Sequence, residues 1–515
     1  MGRSFRRGGK SAPPANGNLS GMMKGVKAML TPDQIRVFIE NDKTSKKKQL
    51  AKTGLRYYEG NHDIKDHRIF FFDADNQLRE DKTKSNIKIS HPFFTELVDQ
   101  TVQYMLSGKD GFIKSDIPEL QSLLDEYFND NEDFTAELYE ILTGCIAKGF
   151  EYAYAYKRRD EKIGFQCADS IGVVEVKAKD TNERCDYVIY WYVDKTGTDN
   201  KQITRIQVWD DSQTHFYVQE DDGQIKLDNA QEHNPRPHII YKKDGDENTY
   251  YEGFGFIPFF RLDNCRKQFS DLKPIKELID DYDLMSCGLS NNLQDTAEAL
   301  YVVKGFQGDN LDELMMNIKA KKHIGVDDDG GVEVHTVDVP YQARQAKLDL
   351  DEKNIYRFGM GFNSAQIGDG NITNIVIKSR YALLDLKCNK LEIRLKQFMR
   401  KLLKIVLAEI NEEHESDYQQ KDVYFDFERE VMTNAADNAQ IKLTEAQARQ
   451  AEITTILNIR EVVGDEEAVK LICEQLDIDY DDIKGNLPAE VPGTDPVEAQ
   501  NILNAIPAEE VSMNE

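Results

Sequence analysis

The segment SDLKPIKELIDDYDLMSCGLSNNLQD (residues 270–295) begins a run of predicted elements that reaches Ile410, and the rest of the chain is organised around this run. Its apolar residues recur with the 3.6-residue period of a helix that buries one face. The opposite face carries Asp280, Asp281 and Asp283, which we interpret as a solvated acidic face. A metal site is the alternative, but no His or Cys ligand lies near them in sequence. The apolar residues are Leu272, Ile275, Leu278, Ile279, Tyr282, Met285, Leu289 and Leu293.

A small α/β insert follows this helix. ALYVVKG (299–305) predicts a strand, because β-branched and aromatic residues favour strands. Asp309 or Asn310 can cap a helix over residues 311–322. The polar run 327–331, Asp-Asp-Asp-Gly-Gly, predicts a hairpin turn by its composition. It lacks the alternating spacing and the late Glu of a calcium-binding loop.

Two further helices and a loop complete the run. Pro340 opens a helix that is expected to end near Gly359 and Gly361, where helix propensity falls. A polar loop follows, and a last helix over 375–410 would be about 50 Å long. Its basic residues outnumber its acidic ones, although the chain as a whole is acidic. They indicate either ion pairs with acidic neighbours or contact with nucleic acid. They are Lys378, Arg380, Lys387, Lys390, Arg394, Lys396, Arg400, Lys401 and Lys404.

Length and charge limit the possible functions. The 515 residues suffice for roughly three domains. With 65 basic and 92 acidic residues the net charge is −27, which argues against tight wrapping of nucleic acid but not against DNA that slides past a surface. No apolar run approaches the ~20 residues that span a bilayer, and no secretory signal is present, so we expect no membrane association. The seven scattered cysteines form no CxxC pair and indicate reduced core residues of a protein made in a cytosol.

The first half of the chain changes from helical to β-rich character. LTPDQIRVFIEND predicts a helix with Thr31 as cap, Pro32 in the first turn and Gln34 completing a capping box. This helix is expected to continue through a basic patch at 46–48 to the segment RYYEGNHDI (56–64), where His62 is interpreted as an exposed loop residue. Further helices follow to Lys148. From 152 to 260, alternating apolar and polar residues between turns predict a mostly antiparallel β region.

No catalytic signature is present in the sequence. We find no GxxxxGK[ST], HExxH or GxSxG motif and no paired Cys–His set, so we predict no catalytic residue, no cofactor and no metal site. Any ATP-driven step would then belong to a partner.

Three motifs, taken in order, resemble the portal proteins of tailed bacteriophages, specifically the siphophage type from Gram-positive hosts. The resemblance covers about residues 30–470 and rests on packing motifs and on the order helix, insert, helix, loop, long helix. The motifs are RYYEGNHDI (56–64), NIKISHPFFTELVDQTVQYMLSG (86–108) and GFGFIPFFRLDNCRKQFSDLKPIKELIDDYDL (253–284).

The resemblance implies an α+β, multidomain portal fold and a non-enzymatic protein made in the host cytoplasm. The alternatives are a metal-dependent nucleic-acid enzyme and a capsid or tail structural protein that does not conduct DNA. Its subunits would form a ring, usually of twelve, at one capsid vertex of the virion, as a conduit for double-stranded DNA during packaging and ejection. Terminase and the head–tail adaptor would dock on it, and the major capsid and scaffolding proteins would surround it. The implied parts are a disordered basic arm (1–29), an α/β wing (30–267), stem helix 1 (268–297), an α/β clip (298–339), stem helix 2 (340–362), a tunnel loop (363–374), a long kinked helix with a wing return (375–433), an α-helical crown (434–487) and a disordered acidic tail (488–515).

The same resemblance assigns the candidate site residues. Lys378 and Arg380 are candidates for direct phosphate contact, with ion pairing between subunits as the alternative. The tunnel loop offers neutral hydrogen bonds to phosphates, and whether it moves, seals the channel or senses head filling stays open. Its polar residues are Asn363, Ser364, Gln366, Asn371, Thr373 and Asn374. The candidate partner-binding residues of the clip are Asp309, Asp312, Glu313, Lys319, Lys321 and Lys322.

Overall fold

The computed structural model describes most of the chain between residues 29 and 480. The expected basic arm, apart from Met29, and the expected acidic tail lie outside the described residues. The chain divides into two compact units, Met1–Gln366 with Tyr381–Glu430, and Ile367–Arg380 with Val431–Glu515. The described residues are 29–476 and 480, without 74, 83, 109–110, 159–161, 179–183, 195–201, 222, 243–248, 296–299, 307–313, 315–325, 336–339, 364–373 and 430–434.

Helices and strands together confirm the α+β class. In the described part of the chain the α-helices are α1 (Pro32–Lys43), α2 (Lys46–Tyr58), α3 (Phe93–Met105), α4 (Pro118–Leu124), α5 (Glu132–Lys148), α6 (Lys276–Asp295), α7 (Tyr341–Gly359), α8 (Asn374–Glu413), α9 (Ala435–Val463) and α10 (Asp465–Leu476). The strands are β1 (Phe70–Phe72), β2 (Leu78–Glu80), β3 (Ile113–Lys114), β4 (Phe150–Lys157), β5 (Ile163–Ala168), β6 (Val173–Lys177), β7 (Cys185–Asp194), β8 (Ile203–Trp209), β9 (Gln213–Glu220), β10 (Lys226–Leu227), β11 (Arg236–Pro237), β12 (Ile239–Lys242), β13 (Thr249–Glu252), β14 (Phe259–Asp263), β15 (Leu300–Phe306), β16 (Val326–His335) and β17 (Tyr424–Phe425).

The N-terminal helix begins as predicted but ends early. The Thr31 capping box with Gln34 is present. The expectation of one continuous helix to residue 58 is wrong, because Ser45 adopts extended backbone and caps α2 by accepting from the Lys48 amide at 3.3 Å. Nor is Lys48 part of a surface basic patch. Only 2% of it is exposed, and its ammonium donates to the Val173 carbonyl oxygen at 2.7 Å and pairs with Asp42 at 3.0 Å.

The β-rich region is antiparallel, as predicted. Its larger sheet has the order β10-β9-β8-β7-β6 with β11 beside β9, and a smaller one has the order β14-β4-β5. Helix α1 packs Ile35 and Ile39 against apolar residues of the larger sheet, including Ile189 and Ile206. One hydrophobic core of this region therefore lies between α1 and the larger sheet. A second core contains buried residues of both sheets, including Tyr152, Val188 and Trp209.

The insert after α6 contains the predicted strand but lacks the predicted turn. Strand β15 pairs with β16, which runs straight through 327–331, so the turn interpretation of these residues is wrong. Between the pairs Lys304–Gly331 and Phe306–Val326 the register advances two residues on β15 and five on β16. The residues of β16 between these two pairs are therefore extra residues in an irregular strand. Glycine and aspartate are compatible with such an irregularity. The predicted helix 311–322 lies outside the described residues, except for Leu314.

The remaining predicted helices are confirmed with shifted ends. Helix α6 begins at Lys276, α7 ends at Gly359 before Met360 takes a left-handed φ of 56°, and α8 has 40 residues, about 60 Å. The structure assigns α8 as one helix, and the kink stays a prediction. In the second unit, α9 and α10 pack on each other and bury Ala468 and Cys473. None of the described helices is long and apolar enough to cross a membrane.

Candidate nucleic-acid interface at the base of loop 363–374

Helices α6 and α7 pack along each other and are joined by a lysine. The ammonium of Lys347 binds Asp281 on α6 and Asp351 on its own helix. The side chain of Asp351 is almost fully buried, whereas that of Asp281 is 43% exposed. One cation thus neutralises two carboxylates at the contact, and the like charges of the two helices can approach.

A buried carboxylate connects α6 to the segment before α3. Asp283 is fully buried, and its two oxygens accept from His62 Nδ1 at 2.6 Å and from His91 Nδ1 at 2.7 Å. The His91 amide adds a third bond at 2.9 Å. The interpretation of Asp283 as solvated, and of His62 as an exposed loop residue, is therefore wrong, since both are 0% exposed. Burial acts to raise the pKa of Asp283, but the bonds from both imidazoles and the amide hold this pKa below its ordinary value.

The beginning of α6 carries a second polar connection. Lys276 binds Asp63 and Asp280, each at 2.6 Å, and the Tyr57 hydroxyl donates to Asp280. Burial acts to raise the pKa of Asp63, but Lys276 and Arg56 outweigh it and lower this pKa to about 2. These acids thus form ion pairs, and the described residues contain no group of three or more His, Cys, Asp or Glu side chains arranged to hold a metal.

Helix α3 fastens the end of α7, directly before the loop. The Tyr356 hydroxyl donates to Glu96 at 2.6 Å. The Gln100 carboxamide makes two bonds to the backbone of Phe362, donating to its carbonyl oxygen at 2.8 Å and accepting from its amide at 3.0 Å. Gly361 permits this approach, because a Cβ there would lie 2.0 Å from Leu97 Cδ2.

The same face of α3 fastens α8, directly after the loop. Tyr381 stacks on Phe362 with ring centroids 4.8 Å apart, and Tyr104 of α3 lies 5.4 Å from the Tyr381 ring. The Tyr104 hydroxyl also donates to Asp385 at 2.6 Å. We call Leu97, Gln100, Tyr104, Phe362 and Tyr381 the loop base. Phe362 before the loop and Tyr381 after it are therefore held next to each other on α3.

The structure locates only some of the predicted site residues. Asn363 is 8% exposed and donates to Glu352 at 2.8 Å, so its side chain is already hydrogen-bonded within the protein, next to the loop base. Asn374 is the first residue of α8. Lys378 is exposed, whereas Arg380 is half-buried and its Nη1 has no hydrogen-bond partner among the described residues. Outside the described residues lie Ser364, Gln366, Asn371 and Thr373 of the loop and all six candidate clip residues, Asp309, Asp312, Glu313, Lys319, Lys321 and Lys322.

The basic residues of α8 have different roles. Lys387 pairs with Asp271 at 3.0 Å and Lys396 with Glu392 at 2.7 Å, so the ion-pair interpretation holds for these two. Others lie on an exposed side of the helix together with Leu386 and Ile393, which are 60% and 62% exposed. A side with large apolar residues suits a protein partner better than a phosphate backbone. Its exposed basic residues are Lys390, Arg400, Lys401 and Lys404.

Comparison with known proteins identifies the family. A family model described as "Phage portal protein, SPP1 Gp6-like" matches residues 38–479. The chain belongs to this family. A curated portal protein of Bacillus phage SPP1 is 28% identical over 349 residues, which are 67% of this chain and 67% of that protein. A portal protein of Clostridium phage phiCD119 is 24% identical over 430 residues, 79% of this chain and 88% of that protein.

Membership of the portal family confirms the resemblance, and both relatives come from phages of Gram-positive hosts. The portal role is thereby favoured over a metal-dependent nucleic-acid enzyme and over a structural protein that does not conduct DNA. Portal proteins are structural, which fits the expectation of a non-enzyme, and the family implies a location in the virion capsid. The loop base was missed by sequence reasoning because its residues come from three separate segments without a shared motif.

Proposed function

We propose that this portal protein assembles as a ring, of twelve subunits, at one capsid vertex and that double-stranded DNA passes along the ring axis during packaging and ejection. Terminase and then the head–tail adaptor dock on clip residues 298–339, and the major capsid and scaffolding proteins contact the wing, 30–267. Stem helices 268–297 and 340–362 carry the tunnel loop, 363–374, towards the axis. The crown comprises 434–487.

The observation that carries the proposal is the loop base. Phe362 and Tyr381 flank the loop, stack on each other and are both held against α3. A polar loop with a rigid base is presented at the same position in every copy of a ring. Neutral hydrogen-bonding groups at that position offer contacts to phosphates that are weak and independent of base sequence, as moving DNA requires.

Electron microscopy of the purified full-length protein, with class averages viewed along the ring axis, tests the assembly. We expect rings of about a dozen subunits with an open centre. Monomers or small compact oligomers at several salt concentrations would contradict the proposal and call for a nuclease assay with added divalent metal.

The phosphate-contact proposal concerns the first turns of α8. Lys378 is exposed and can reach a phosphate directly. Arg380 is half-buried, and its buried Nη1 has no partner among the described residues, so a contact with phosphate requires this side chain to turn outward. We expect K378E/R380E to assemble into normal rings and to reduce DNA packaging or retention. The matched control is K442E/R449E, which places the same charge change on two exposed residues of α9. Equal packaging by the two double variants would remove Lys378 and Arg380 from the DNA contacts.

Deletion of residues 365–371 distinguishes two roles of the loop. A change in the length of packaged DNA is expected if the loop senses head filling. Leakage of DNA at normal packaged length is expected if the loop seals the channel. Normal length with full retention would contradict both roles.

A further inference from the structure

Strands β1 and β2 form a two-stranded ribbon with an unusual surface. Phe70, Phe71 and Phe72 are 50%, 45% and 67% exposed, and Leu78 on the facing strand is 59% exposed. All six strand residues are exposed. Among the described strands, β1 and β2 pair only with each other. An isolated ribbon is marginally stable in water, and a cluster of exposed aromatic side chains marks a surface that another molecule covers.

Aromatic side chains lie on both faces of the ribbon. The register pairs Phe70 with Glu80, Phe71 with Arg79 and Phe72 with Leu78. Because successive strand residues point to opposite faces, Phe70, Phe72 and Leu78 share one face and Phe71 lies on the other. The ribbon therefore suits insertion into a groove of the partner, where both faces are covered.

The described residues of the ribbon's turn, 73 and 75–77, are joined by hydrogen bonds. The Asp73 carboxylate accepts from the amides of Asp75 at 3.0 Å and Gln77 at 2.8 Å, and it pairs with Arg79 at 2.5 Å. Asn76 adopts a left-handed φ of 58°, which asparagine tolerates well. The ribbon thus loses little conformational entropy on docking.

Charge indicates which partner covers the ribbon. At its root, residues 65–69 and 80–84 expose four basic side chains and two acidic ones. A second copy of this chain has a net charge of −27 and therefore attracts this basic root. Residues 1–28 of the same chain contain six basic residues and no acidic one, so the root repels them. In a ring of identical subunits each copy can offer its ribbon to the next, a head-to-tail contact that closes.

We propose that the β1–β2 ribbon of one subunit inserts its aromatic residues into the neighbouring subunit and holds the ring together. This inference rests on the ring of the proposed function and adds the surface through which the copies bind.

The test compares the full-length wild type with F70S/F71S/F72S in a dilution series followed by sedimentation velocity. We expect the concentration at which half of the rings dissociate to rise at least ~100-fold, because buried aromatic anchors dominate interface energies. The matched control is Y192S/V193S on β7, which removes exposed apolar side chains elsewhere and is expected to dissociate as the wild type does. Circular dichroism of each variant monitors folding.

A second measurement does not depend on the folding of the variant. A photoreactive phenylalanine analogue at position 71 of the otherwise wild-type chain is expected to crosslink to a second copy, as identified by mass spectrometry. Crosslinks only to residues 1–28 of the same chain, or to added DNA, would overturn the inference. Rings of the triple variant as stable as those of the wild type would overturn it and leave the portal role intact, whereas a wild type that never forms rings would overturn both.

Discussion

The β-rich region and the helices around loop 363–374 are held mainly by different kinds of contact. In the β-rich region most of the buried contacts are apolar, such as those of Ile35 and Ile39 of α1 with Ile189, although the buried Lys48 also bonds to the Val173 carbonyl oxygen. Around the loop, polar bonds connect the elements: the fully buried Asp283 bonds to two histidines, and the half-buried Gln100 bonds to the backbone of Phe362. Apolar burial is non-directional and stabilises compactness, whereas hydrogen bonds require defined distances and angles.

This difference fits what each region has to do. In the proposed ring, the β-rich region needs a stable core. The loop of each subunit has to begin and end at the same place, and the bonds of Gln100 and Tyr104 hold the residues on either side of it. The comparison predicts that core substitutions lower stability alone, whereas substitutions at the loop base also change how the loop is presented.

The largest expected effect is in the apolar core of the β-rich region. Ile189→Ala removes a fully buried side chain and leaves a cavity, so we expect the free energy of unfolding to fall by about 4 kcal/mol. Urea denaturation measures it. Val193→Ala, on the same strand but 43% exposed, serves as the control and should change the free energy by less than about 1 kcal/mol. Equal losses would mean that this sheet face is not the core.

A smaller loss is expected at the buried carboxylate. Asp283→Ala leaves His62 and His91 without their acceptor, and we expect a loss of about 3 kcal/mol. Asp281→Ala on the same helix removes a carboxylate that is 43% exposed and should cost at most about 1 kcal/mol. The two variants are compared by urea denaturation. If they proved equally stable, the polar fastening of α6 would be unimportant.

At the loop base, Gly361→Ala places a Cβ against Leu97. We expect a loss of about 2 kcal/mol from overpacking and a displaced loop. Rings should still form, while DNA retention in assembled particles should fall. The double variant Gly361→Ala/Leu97→Ala provides room for the methyl group and is compared with Leu97→Ala alone: the two should retain DNA equally, and an additional loss in the double variant would argue against a steric origin.

The smallest expected effect is a pH dependence. Because the pKa of Asp283 is lowered in the folded protein, its bonds stabilise the fold fully at pH values above the ordinary carboxyl pKa of about 3.9. This stabilisation is lost as the pH falls through the lowered pKa of the folded state. The titratable groups that bind it are His62 and His91. The stability advantage of the wild type over Asp283→Asn should therefore be smaller at about pH 3 than at about pH 5. An advantage that grows with acidity would contradict this sign.

Local sequence signals predicted the elements well. The periodic apolar face of α6, Pro340 before α7 and the alternation in residues 152–260 each depend on neighbours within a few positions, and the structure confirms these elements. The Thr31 capping box is equally local. The candidate loop could be outlined in the same way, as a polar gap between two helices.

Signals that depended on distant partners were misread. Asp283 lies 192 residues from His91 and 221 from His62, and a row of aspartates on a helix carries no information about such partners. The residues 327–331 resemble a turn in isolation, yet pairing of β16 with β15 makes them part of a strand. Gln100 and Phe362 of the loop base are similarly separated by 262 residues.

The sequence by itself thus determined the class of fold, the order of the elements and the family, because periodicity, caps and motif order depend on residues that are close together in the sequence. Only the tertiary structure decided which charged and polar side chains are buried. The burial of Asp283 and the joining of both loop ends at Gln100 and Tyr104 require groups from separate segments to meet. The physical reason is that a buried carboxylate or amide is stable only where partners compensate for its lost water, and the fold alone brings those partners together.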